Sequence, residues 1–457
     1  MHPHPHPNPG PGPRQRHSSG QALPLALVLL LAVLASLLWM FNSGQLVEEK
    51  LRLSNTADAV AYSAGVFEAR LLNYDAYTNR AIVANEIAIA QAVGVASWAK
   101  YMGTTADNIG PYLNLIPYIG PILSQVMDYV KSIMDILTPA LAATIPVHDA
   151  AIQALSWSQF LVHGPGNSLA LNSRHQLMEA VAHANDPAIR LDPLPLHDDF
   201  AAFTTRWQSI DERQRLGSVV NDSRDSFLRS RNWAFGDVIL CTGIALRKRG
   251  STELINLTDG WKSMDTLSAH HYRLRRLRCR HREHALGYGS AFSADELDDR
   301  AYSYAGSRHD NPRASAEADS SEGIAEGFDP APTSIAGGAI PSFHELSRSA
   351  LRQHEPRSAL SIRVFKPAAA QVYSAGDSSI QPGGRLELYQ GRHAGGGSAA
   401  IARVEVFFAR PDRGNSLHPG RREIGSLFNP YWQVRLAPIS SSERIAAQLR
   451  QSSSQLP

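Results

Sequence analysis

The sequence predicts an α+β protein in which a single N-terminal transmembrane helix continues into a helical region and is followed by a β-rich C-terminal part. Three observations predict it. Residues 22–41 carry no charge, apolar residues then recur at helical spacing, and from about residue 235 short β-rich runs alternate with Gly, Pro and Ser.

The charge-free stretch, ALPLALVLLLAVLASLLWMF, is twenty residues long. A helix of that length spans about 30 Å, the hydrocarbon thickness of a bilayer. Trp39 and Phe41 fall where an interfacial aromatic belt is expected. A cleaved signal peptide has a shorter apolar core and small residues at its cleavage site, whereas Leu37, Leu38, Trp39, Met40 and Phe41 are bulky. Arg14, Arg16 and His17 precede the stretch and Glu48 and Glu49 follow it. The positive-inside rule then keeps the N-terminus in the cytoplasm and exports the bulk of the chain. The His- and Pro-rich opening reads as a disordered cytoplasmic tail.

Beyond the anchor, Leu46, Leu53, Ala57, Val60, Ala64, Phe67 and Leu71 lie on one helix face with no proline between Leu25 and Leu72. Anchor and extension form one rod of about 70 Å. Leu53, Ala57, Asp58, Val60, Ala61, Ala64 and Gly65 make a helix-packing seam whose small residues admit close approach. Its partner is either the chain's own next helix or the rod of another molecule, in a homo- or hetero-oligomer. Asn73, Tyr74 and Asp75 read as a break at residues 72–77, after which residues 81–99 form a second, buried helix of a hairpin. Asn85, Glu86 and Gln91 argue against that helix being a second span.

Further helices are expected over 122–137, 149–160 and 173–184, and strands over 238–241, 252–257, 360–365, 385–389 and 401–409. The expected organisation is a cytoplasmic tail (1–21), the transmembrane helix (22–41), a helical periplasmic region (42–230), a mixed α/β region (231–307), a linker or long loop (308–341), a β-rich region (342–439) and a flexible tail (440–457).

With a net charge of +2, the composition favours no acidic partner, and export argues against nucleic acid. Cys241 and Cys279 are the only two cysteines. In an oxidising compartment they read as one disulfide; two free buried thiols are the alternative. Arg276, Arg278, Arg280 and Arg282, if extended, share one face and form an anion-binding patch for polysaccharide, lipid head groups or an acidic partner. A solvated strand face is the ordinary reading. No GxSxG elbow, HExxH, Walker loop or dinucleotide fingerprint occurs in a credible context, and the histidines around Cys279 match no standard zinc spacing. No enzyme, cofactor or metal site is therefore expected.

Ser19-Gly20-Gln21 entering the charge-free helix, Gly44, and KLRLSNTADAVAYSAG over 50–65 resemble the N-terminal segment of the TadE/TadG-like proteins of Flp (Tad) pilus assembly. Asp58, Ala59, Ala61 and Ala64 fall on the acidic and small positions of that family's motif. The resemblance covers residues 14–68, and SLFNPYWQVRL over 426–436 has the look of larger TadG-related proteins. It implies a bacterial inner-membrane protein with a periplasmic part, acting structurally in pilus assembly or secretion with other assembly proteins. Leu25 stands where processed prepilin-type sequences carry Glu, so permanent anchoring is expected. No Asp-x-Ser-x-Ser metal motif follows an apolar strand. An envelope protein that holds polysaccharide or anionic lipid through the arginines is the alternative function.

Overall fold

One helix, α1 (Ala22–Leu113), runs from the charge-free stretch through the middle of the folded body without interruption. At about 1.5 Å per residue it is on the order of 140 Å long. The computed structural model describes residues 10, 22–113, 120–239, 241–276, 278–294, 302–320, 340–367, 370, 397–410 and 423–453.

The expected break at 72–77 and the separate helix over 81–99 are both absent, because those residues belong to α1. Asn and Asp are poor helix formers because their side chains compete for nearby backbone groups. Here the side chains of Asn73 and Asp75 bond to distant elements instead, and the backbone stays helical.

Three helices follow: α2 (Gly120–Ala142), α3 (Ile145–His163) and α4 (Ser168–Asn185). Pro146 sits in the first turn of α3, where its missing N–H leaves no bond unmade, and Gly164 ends the helix at φ 69°. Short elements come next: β1 (Arg190–Leu191), β2 (His197–Asp198), α5 (Phe200–Phe203) and β3 (Thr204–Trp207). In α6 (Ile210–Asp222) Glu212 accepts from the Ser209 N–H at 3.1 Å, and in α7 (Ser226–Arg229) Asp225 accepts from the Leu228 N–H at 2.8 Å.

An antiparallel sheet of order β4-β5-β6-β7 then forms from β4 (Trp233–Phe235), β5 (Gly243–Leu254), β6 (Gly260–Arg275) and β7 (Arg278–Ala294). α8 (Ser307–Asp310) and α9 (Pro312–Ser320) pack on it, with Ala318 and Tyr304 against Met264. The span expected as a linker thus begins with a docked helix. Strand β8 (Phe343–Leu346) pairs with β3, and α10 (Arg348–Leu351) follows. Strands β9 (Arg357–Pro367), β10 (Gly397–Phe408) and β11 (Trp432–Leu436) complete a second antiparallel sheet with β1 and β2. The tail expected to be flexible instead carries α11 (Ser441–Ser453), held where Glu443 meets Arg403 at 2.9 Å. The strand expected over 385–389 lies outside the described residues; that over 238–241 is reduced to an isolated bridge, Ile239 with Thr242.

The cores join these elements around α1. Leu53, Ala57, Val60, Ala61 and Ala64 pack on Leu360, Ile362, Val364, Ala402 and Val404 of the second sheet and on Met178 and Ala182 of α4. Farther along, Ile82, Ile89, Val93 and Ala96 pack with Ile145, Ile152, Leu216, Leu228 and Trp261. Residues on both sides of position 230 share this second core, so α1 ties the expected regions together.

Candidate functional site

The charge-free end of α1 is bare. Leu25, Leu29, Val33, Leu37 and Phe41 are all more than half exposed, and no residue of the most apolar window of the helix is buried in the body. A run that apolar is soluble only when covered, and its length fits a bilayer.

Above it the seam is already occupied. Ala57, Val60, Ala61 and Ala64 have no exposed surface. A Cβ added to Gly65 would lie 2.5 Å from Val434 Cγ2 and 2.7 Å from Val404 Cγ2. The small residues therefore admit the chain's own second sheet and its helix α4. Only Asp58 of the predicted set is partly exposed.

Polar side chains bolt α1 to the body along its length. Nearest the charge-free end Glu49 and Asp186 both meet Lys366, and Glu68 and Asp198 both meet Arg174. Burial raises the Glu68 carboxyl to about 7 against the pull of Arg174. Next come Asn73, which binds the Trp432 backbone, and Asn79, which donates to the carbonyls of His344 at 2.8 Å and Leu427 at 2.7 Å. Glu86 accepts from Trp261 Nε1 at 3.0 Å; burial pushes its carboxyl up to about 8. Ser97 donates to Asp265 at 2.8 Å, a buried carboxylate also held by Arg231 and Lys248. Burial opposes that charge, but the two cations hold the Asp265 carboxyl below its ordinary range.

Sequence reasoning missed a buried cluster of Asp75, His163 and His344. Asn167 Nδ2 donates to the Thr204 carbonyl, which turns its Oδ1 toward His163 Nδ1 at 3.0 Å. That nitrogen must donate, and Nε2 faces Asp75 Oδ2 at 2.8 Å. One proton is shared across that contact, and burial pushes the Asp75 carboxyl up. Burial, His163 and Arg206 lower the His344 pKa to about 2, so this ring is neutral. Candidate ligand atoms of the three lie within 4.8 Å of one another. The His163 and His344 rings, however, stack 4.0 Å apart at 15°, so their in-plane lone pairs lie in separate, nearly parallel planes. The arrangement suits a hydrogen-bonded pair better than three ligands converging on one ion.

At the other end, Arg276 occupies the β6–β7 turn at φ 51° and leaves the predicted face. Arg278, Arg280 and Arg282 remain on one face of β7, and the register sets Arg275, Arg273 and His271 of β6 directly opposite them. All six are exposed. Cys279 is disulfide-bonded to Cys241, their Cα atoms 5.6 Å apart.

The exposed apolar helix, the small-residue seam and Glu68, three residues beyond Gly65, all fall in one segment. Residues 20–69 match the family model described as putative Flp pilus-assembly TadE/G-like. That segment is TadE/G-like. It spans the bare helix and the part of α1 clasped by the second sheet and α4, and it ends beside Glu68. No curated protein and no solved structure matches the chain. The rest of the body therefore stands on its own geometry, bolted to the TadE/G-like helix.

Proposed function

We propose that the protein is a non-enzymatic, membrane-anchored component of Flp/Tad pilus assembly or secretion, with its N-terminus in the cytoplasm of the bacterial cell and its body in the periplasm. The observation that carries this reading is that the TadE/G-like segment and the body share one unbroken helix. The charges flanking the apolar stretch support the orientation, and a disulfide in the body suits an oxidising compartment.

Partner contact then falls to a different surface from the Ala57–Gly65 seam. On α2, Ile122, Val126, Tyr129, Ile133 and Ile136 recur at spacings of four and three and are between 51% and 75% exposed. That is an open heptad seam, which fits a helix of another assembly protein. The same helix is apolar enough to be mistaken for a second span. It packs beside Asp107 through Lys131, on the order of 100 Å along α1 from Phe41, so both cannot lie in one bilayer. The distance equally disfavours the alternative in which the arginine hairpin grips lipid of the anchoring membrane.

Capture of the detergent-solubilised protein by an affinity tag, with and without Ile133→Asp and Tyr129→Asp, tests the reading. Pilus ATPase, platform or pilin subunits should accompany the parent protein and be lost from the variants while membrane insertion is unchanged. Recovery of the protein with none of these would overturn it.

A further inference from the structure

The β6–β7 hairpin has features that its role in the sheet does not require. Arg273 faces Arg280 and Arg275 faces Arg278 across the strands, and like charges directly opposite one another disfavour the pairing. No carboxylate forms an ion pair with any of Arg273, Arg275, Arg278, Arg280 or Arg282 among the described residues. Every exposed cation on this face of the hairpin is Arg, the residue suited to bidentate grip on carboxylates and enriched at protein interfaces where Lys is depleted. Ile244, opposite His271 and 60% exposed, adds an apolar side chain to the same face.

The edge is open at the same place. β7 is the outer strand of its sheet. Toward its far end the outer backbone is capped: Thr104 binds the N–H and carbonyl of Tyr288, Asn108 the carbonyl of Leu286, and Arg313 the carbonyl of Glu283. One pleat nearer the turn, no bond caps the outer backbone of His281 among the described residues. The disulfide ties this end of the hairpin to the segment before β5, so the surface is arranged before anything binds.

We propose that the tip of the β6–β7 hairpin binds an extended acidic segment of a partner protein, which adds to the β7 edge at residues 279–282 and sets alternate carboxylates against Arg278, Arg280 and Arg282. Main-chain pairing supplies the docking and the arginines supply the selection. The site stands at the membrane-distal end: β7 passes Ser97, Thr104 and Asn108 of α1 in that order as it is followed back toward its turn. The proposal holds whether or not the partner belongs to a pilus.

The test is fluorescence anisotropy of the purified, disulfide-intact protein with a labelled octapeptide of alternating Glu and Thr. Saturable binding that weakens at least tenfold with Arg280→Glu/Arg282→Glu, and comparably with Arg280→Gln/Arg282→Gln, is expected. Glu at position 280 would face Arg273, so the first variant should keep its fold, which circular dichroism checks. A Gln-Thr peptide and a Glu-Pro peptide should each bind at least tenfold more weakly, the second because proline has no N–H for the edge. Equal binding of the Gln-Thr peptide, no effect of the substitutions, or tighter binding of polygalacturonate or phosphatidylglycerol vesicles than of the Glu-Thr peptide would overturn the proposal.

Discussion

Asn73 and Trp432, 359 positions apart, exchange two hydrogen bonds: Asn73 Nδ2 donates to the Trp432 carbonyl and the Trp432 N–H donates to Asn73 Oδ1, both at 3.0 Å. The amide side chain acts as one more partner strand for β11. Asn73→Ala should destabilise the body by about 2 kcal/mol, because it leaves two half-buried backbone groups unpaired. Urea denaturation of the solubilised protein measures this, and Asn73→Asp, which keeps only the acceptor, should fall between parent and Ala.

Gly65→Val should cost about 1–3 kcal/mol by overpacking the contact with Val404 and Val434. Combining it with Val434→Ala should recover part of the loss, a coupling that a double-mutant cycle reads directly. If the seam instead met another molecule, Val434→Ala would bring no recovery.

Glu86 gives the fold a pH dependence of definite sign. Its carboxyl titrates at about 8 in the folded chain against an ordinary 4.5, so the folded state keeps a proton that the unfolded state releases between those values. The associated stability is fully present below pH 4.5 and is lost as pH rises toward 8, by an amount on the order of a few kcal/mol. Glu86→Gln keeps an acceptor for Trp261 and has nothing to ionise. Its stability should change less between pH 5 and pH 8 than the parent's, by chemical denaturation at each pH.

Reducing the Cys241–Cys279 disulfide, or replacing both residues with Ser, should destabilise by up to about 4 kcal/mol from the closed loop. The loss should be confined to the sheet that carries β6 and β7, so amide hydrogen exchange should rise there and stay slow in α1 residues 53–72.

The pattern of the chain made some of this legible and hid the rest for physical reasons. Alternation over Arg403, Val404, Glu405, Val406, Phe407 and Phe408 exposes a strand because its period of two survives whatever it pairs with. The apolar period over Leu53, Ala57, Val60 and Ala64 likewise gives the buried face, but not whether a helix or a sheet covers it, since both surfaces accept small residues. The unbroken α1 was illegible at Asn73 and Asp75. Local propensity scores them as breakers, and their actual partners, Trp432 and His163, are remote in sequence. Of the arginine face, the alternation of 278, 280 and 282 could be read. The doubling by Arg273 and Arg275 needed the position of the turn, which no Asn-Gly or Asp-Gly pair marks here.

The long separation between Asn73 and Trp432 has a temporal consequence. Ribosomes add about 5–20 residues per second, so roughly 20–70 s pass between the synthesis of the helix and that of the strand that locks onto it. During that interval α4, β9 and β10 are made and can cover the alanine face, but Gly65 and Asn73 still lack their contacts with Val434 and Trp432. A stall before β11 would leave an inserted protein whose alanine face is covered but whose helix lacks the β11 contacts at Gly65 and Asn73.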